Sequence, residues 1–254
     1  MSRRYDQSTT TFSPDGRLHQ VEYAIEAINN AGTCVGLQSE QGIVLAAEKR
    51  VVSKLLAKSK TSEKTYTIDS HAVCLVAGLT ADANILMQNA RLQCQQYSFK
   101  FGEPVPMEQL VKGLCDYKQR YTQFGGLRPF GVAFVFAGWD KHHGYQLYQS
   151  DPSGNYSGWR ATVIGQNSQA GKSILKTDYK ENAAQQDNLM LAVKILLKTM
   201  DATAPSPERI DLSEIKKAED GSLVHVTVSD EAVQALIDVC QKEAEAEAKT
   251  SGDI

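Results

Sequence analysis

Apolar positions along the chain change period several times, and each change predicts an element. Leu18, Val21, Ile25 and Ile28 recur at helical spacing, with Arg17, Gln20, Glu22 and Glu26 between them. Immediately before them Ser13, Pro14, Asp15 and Gly16 form a strong turn run. Short apolar runs at 33–37 and 43–47, joined by a polar link ending in Gly42, predict a β-hairpin, and 62–68 with 72–77 predict another, turning at Asp69, Ser70 and His71. Gly78 breaks that strand. A long helix follows, with Ala83, Leu86, Ala90, Cys94, Tyr97 and Phe101 in phase and Thr80 or Asp82 as its cap. Residues 102–106 interrupt it, and Pro106 opens a helix carrying Leu110, Val111, Leu114, Tyr117 and Tyr121.

Gly125 and Gly126 end that stretch. Residues 130–137 predict a fully buried strand, followed by strands at 145–149 and 159–164 on either side of the turn-rich run DPSGNYSG. Helices are predicted over 168–180 and 188–200, then a loop marked by Pro205 and Pro207. A last hairpin, 210–216 with 223–228, turns at Asp220 and Gly221. Asp230 opens a final helix ending in an Ala/Glu/Lys run expected to be frayed and solvated. Strands that arrive in hairpins predict an α+β fold with antiparallel sheets, not a doubly wound parallel sheet. Two such sheets face to face, each with a helix pair outside, use every apolar stripe. The N-terminal helix has no partner of its own and has to pack on this body or on a neighbour. The expected divisions are an N-terminal tail, turn and helix at 1–31, a sandwich at 32–240 and a charged tail at 241–254.

At 254 residues and 42% hydrophobic, the chain can bury one large core. Its formal net charge of -3 gives no global positive field for nucleic acid. No early apolar run has the form of a signal peptide, which predicts an intracellular protein. Cys34, Cys74, Cys94, Cys115 and Cys240 are widely spaced without a CxxC pair, so buried reduced thiols are expected. His142 and His143 read as a solvated turn. GQNSQAGKS at 165–173 follows a strand and opens a helix as a phosphate-binding loop does. However, five residues separate Gly165 from Gly171 where that loop requires four, so it reads as a helix start.

A threonine can attack an amide when its own free α-amine is the base. For Thr33 this requires cleavage after Gly32, with Glu48 and Lys64 as imaginable supporting groups. That cleavage would discard the turn and helix at the N-terminus. An ordinary strand residue is the simpler reading, and the catalytic threonine hydrolase stands as the alternative.

Tyr5-Asp6, FSPDGRLHQVEYA at 12–24, Gly32-Thr33, GIVLAAEKR at 42–50, SEK at 62–64, AGLTADA at 77–83, YTQFGGLRPFGV at 121–132 and YQSDPSGNYSGW at 148–159 resemble the α-type subunits of the 20S proteasome. The likeness covers nearly the whole chain. It implies the four-layer αββα sandwich of the N-terminal nucleophile hydrolases, without catalysis, cofactor or metal, because Gly32 stands where the β-type nucleophile would. It also implies seven different α subunits in an outer ring above a β ring, in cytoplasm and nucleus, serving ATP- and ubiquitin-dependent protein degradation. By resemblance, Tyr5 and Asp6 bond neighbouring tails at the axial gate, Pro14 positions the tail and Tyr23 supports it. Lys64 would pair with the C-terminal carboxylate of a regulatory particle or other activator, in a pocket walled by Gly78 and Leu79. Gln7 and Ser8 depart from the basic residue common at that place, so no charge-assisted contact is expected there.

Overall fold

The computed structural model describes residues 7–49, 55, 64–200, 205–218 and 223–251, with side chains as far as Glu243. α1 (His19–Asn29) is followed by the hairpin β1 (Cys34–Ser39) and β2 (Gly42–Glu48). β3 (Thr65–Asp69) and β4 (Ala72–Gly78) lead to α2 (Thr80–Phe101) and α3 (Met107–Gln123). β5 (Val132–Asp140), β6 (Gly144–Ser150), β7 (Tyr156–Gly158) and β8 (Ala161–Ile164) come next, then α4 (Ser168–Asp178) and α5 (Gln185–Thr199). A 3-10 turn, Pro207–Arg209, precedes β9 (Ile210–Lys217), β10 (Leu223–Thr227) and α6 (Asp230–Ser251). No helix among the described residues is long and apolar enough to cross a membrane.

The strands form two five-stranded antiparallel sheets among the described residues, ordered β10-β9-β2-β1-β8 and β3-β4-β5-β6-β7. Alternation along each strand divides the apolar side chains between two faces. Ile43, Leu45 and Ala47 of β2 meet Val73, Leu75, Val135 and Ala137 between the sheets. Val44 and Ala46 turn outward under Leu189, Ala192, Val193 and Leu196 of α5, where Val233, Leu236 and Ile237 of α6 join the same layer. Phe134 and Phe136 turn outward under Leu86 and Met87 of α2 and Leu110 and Leu114 of α3. This is the expected four-layer αββα sandwich. All five cysteines are free and buried.

Three expectations give way. The strand expected at 159–164 begins only at Ala161, and the turn-rich run before it holds an unexpected short strand: Tyr156–Gly158 pairs with β6 in one sheet, Ala161–Ile164 pairs with β1 in the other, and half-exposed Trp159 lies between. The chain thus changes sheets across Trp159 and Arg160. Neither Thr80 nor Asp82 caps α2. Leu79 holds that position without a side-chain bond, while Asp82 lies in the first turn with its carboxylate turned elsewhere. The last helix continues unbroken to Ser251.

Candidate functional site

One end of the sandwich gathers most of the singled-out residues. The turn at 13–16 closes by Gly16 N–H donating to Ser13 O at 2.9 Å, while Arg17 N–H donates to Ser13 Oγ at 3.2 Å and Arg17 O accepts from Ser13 N–H at 2.9 Å. Pro14 sits exposed on this clasp. Arg17 Nε then meets Glu22 at 2.5 Å across the start of α1, and this contact holds the Glu22 carboxyl below its usual range. α1 packs across the ends of β4 and β5. Only part of its apolar stripe is used there: Val21 and Ile28 are buried, but Tyr23 and Ile25 remain exposed. Tyr5 and Asp6 lie outside the described residues.

Lys64 enters β3 beside β4, its carbonyl accepting from Val76 N–H at 3.0 Å. Two residues beyond Val76 the strand ends at Gly78 (φ 124), where a Cβ would overlap the Gly131 carbonyl oxygen. Leu79 follows with its side chain half exposed. Lys64, Gly78 and Leu79 therefore share one end of the β3–β4 pair. The ammonium of Lys64 is near enough to act on the Cys34 thiol, lowering its pKa, but burial dominates and pushes that thiol up to about 12. Cys34 is a packing residue, not a reactive one.

Thr33 is wholly buried. Its N–H is an in-chain amide donating to Glu48 Oε2 at 3.3 Å, and its hydroxyl donates to Gln166 O at 2.8 Å. Glu48 is only 4% exposed, not the solvated strand end its charged neighbours suggest, and Arg209 Nη2 lies 3.6 Å from its other oxygen. Among the described residues no base addresses the Thr33 hydroxyl. The run that mimics a phosphate loop grips this corner: Gln166 N–H donates to Ala31 O at 2.8 Å. Gly165 (φ 90) approaches so closely that a Cβ there would lie 2.7 Å from Gly32 O. Asn167, left-handed at φ 54, starts α4, and its amide bonds Thr199 O at 2.8 Å.

Two residues that sequence alone does not pair belong to this end, one of them Asp82, which was expected only as a helix cap. Asp82 accepts both guanidinium arms of Arg128, at 2.7 and 2.8 Å, and Gly131 N–H at 2.9 Å. The Arg128 bonds hold its carboxyl below the ordinary range against the opposing effect of burial. Their separation of 46 positions leaves no local signal. No group of three or more His, Cys, Asp or Glu able to hold a metal occurs among the described residues.

A family model described as "Proteasome subunit" matches residues 28–215, and a second model, for the N-terminal signature of the A-type proteasome subunits, matches residues 5–27. The chain is 60% identical over 215 residues to the alpha type-4-A proteasome subunit of Arabidopsis thaliana, covering 85% of this chain and 86% of that one. It is 56% identical over 237 residues to the alpha type-4 proteasome subunit of Spinacia oleracea, covering 93% and 95%. The Petunia hybrida alpha type-4 proteasome subunit is 58% identical over 215 residues, covering 85% and 86%. With nearly its whole length matched, the chain belongs to the proteasome subunit family, in its α type.

Proposed function

We propose that the chain is a non-catalytic ring subunit of the 20S core particle, at the alpha type-4 place, the third α position in the other common naming. It builds the outer seven-membered ring with neighbouring α subunits, rests on the β ring and works in cytoplasm and nucleus in ATP- and ubiquitin-dependent protein degradation. The observation that carries this reading is the corner at Thr33. A threonine nucleophile needs a free α-amine, whereas the Thr33 nitrogen is a peptide N–H bonded to Glu48 and its hydroxyl is committed to Gln166 O. The turn and helix ahead of it pack on the body, and the exposed Tyr23 and Ile25 leave an apolar edge suited to a neighbour.

Two further roles belong to this reading. The clasped turn at Pro14 aims the residues before it, including Tyr5 and Asp6, at the axial gate. Lys64, with Gly78 and Leu79, receives the C-terminal tail of an activator, since an ammonium on a flexible stem suits a terminal carboxylate. Removing residues 2–8 from this chain is expected to raise basal hydrolysis of small peptides by the assembled particle. Unchanged hydrolysis would sink the gate assignment.

A further inference from the structure

We infer that Asp82 and Arg128 form a positioning clamp that fixes the Gly78 and Leu79 wall relative to Lys64, a proposal that rests on the docking role above. Leu79 N–H, at the cap of α2, donates to Gly131 O at 2.9 Å, and Gly131 N–H donates back to Asp82 Oδ2 at 2.9 Å. Leu79 is the N-cap and Asp82 the third helical residue, the two places at which a capping box closes on itself through an N-cap hydroxyl. Leucine has no hydroxyl. The box is completed instead by a backbone group 49 positions away, which accepts from the cap and donates to the carboxylate.

Arg128 makes that arrangement hold. Its Nη1 and Nη2 lie on the two Asp82 oxygens, and Nη1 also donates to Pro129 O at 3.0 Å. The guanidinium is thereby tied to its own loop as well as to α2. Asp82 is buried while Arg128 is open to solvent on its outer side. Without Arg128, a buried carboxylate keeps one backbone donor and loses two charge-assisted bonds. Gly131 is also the group against which Gly78 packs without a side chain. Any retreat of Gly131 therefore moves the end of β4 and the Leu79 amide together. The half-exposed Leu79 side chain offers an apolar surface for the residue before a terminal carboxylate, and the clamp sets where that surface stands with respect to the Lys64 ammonium.

The test uses assembled core particles carrying Arg128→Ala, Arg128→Lys, Asp82→Asn or Lys64→Ala in this chain. The probe is a photoreactive peptide ending in leucine with a free carboxylate. Its adduct on this chain is quantified by mass spectrometry against peptide concentration. Arg128→Ala and Asp82→Asn are expected to raise the half-saturating concentration about tenfold, as loss of a charged hydrogen bond implies. Arg128→Lys, which keeps the charge but not the fork, should raise it less. Unchanged labelling in Lys64→Ala overturns the docking role itself. Loss in Lys64→Ala with unchanged labelling in Arg128→Ala and Asp82→Asn overturns the clamp alone, even if those variants lower thermal stability. Should Arg128→Ala fail to assemble, Arg128→Lys and Asp82→Asn decide on the same criterion.

Discussion

Lys118 Nζ donates to Ser150 Oγ at 3.1 Å from a position with no exposed surface, above the Phe134 ring at 5.2 Å. No carboxylate bonds it among the described residues, and burial lowers its pKa to about 8. An unfolded lysine keeps its proton up to about 10.5. Between those values the unfolded chain binds more protons, so stability rises with pH across that window. Below it the penalty, about 3 kcal/mol, is present in full. Lys118→Met keeps the stem and removes the ammonium. At about 2–4 °C per kcal/mol it is expected to raise Tm at pH 7 by about 6–12 °C and to flatten the rise between pH 8 and 10. A lowered Tm with the pH slope intact would contradict this account.

Gly78→Ala combines a positive φ with overlap on a backbone oxygen that cannot rotate away. We expect a loss of about 2 kcal/mol or more in urea unfolding of the purified chain. Gly125→Ala, where an added Cβ meets open space, should stay within about 0.5 kcal/mol. Equal midpoints for the two variants would refute the close approach.

Thr33→Ala removes the hydroxyl bond to Gln166 O and nothing catalytic. The chain should lose about 1 kcal/mol of stability. Peptide hydrolysis by the assembled particle should not change, and intact-mass measurement of the unsubstituted chain should find residues 1–32 retained ahead of Thr33. Lost hydrolysis, or a mass beginning at Thr33, would restore the threonine-hydrolase alternative.

Asp140 accepts from Met107 N–H at 3.1 Å, His142 N–H at 2.9 Å, His143 N–H at 2.8 Å and Gln146 Nε2 at 2.7 Å. Burial pushes its pKa up, but the Gln146 bond and the three backbone donors together bring it below the ordinary value. Its contribution is therefore present above the usual aspartate range and is lost as pH falls through the lower folded value. Asp140→Asn should cost about 2 kcal/mol at pH 7 and remove part of the acid-side loss. Thermal unfolding from pH 7 to pH 3 checks both, and an unchanged acid limb would count against it.

The layered architecture was legible because the strands that build it alternate or run fully apolar over five or more residues, as in β2 and β5. β7 was missed because Tyr156, Ser157 and Gly158 are too few to show a period and sit in a run of turn formers. Lys118 lay unread for a related reason: a lysine at a buried helical position scores as the polar face until its surroundings are known. Of the expected site, Lys64, Gly78 and Leu79 came from resemblance, since a lone strand-end lysine has no signature. Asp82 with Arg128 was invisible because pairing across 46 positions is a property of the fold, not of any window.

The crossing at Trp159 and Arg160 has a mechanical consequence. Three Cα steps join Gly158 in one sheet to Ala161 in the other, a reach of about 10 Å, which is the spacing of stacked sheets. The sandwich is bound along this edge like the spine of a book. At the far edge, where β3 faces β9, the leaves are joined by side chains such as Thr65 Oγ1 on Asp211 Oδ2 at 2.6 Å. Lys64 stands on that margin, next to Thr65. The two sides of the sandwich are thus closed by different means, one by a short covalent crossing and the other by a seam of side chains.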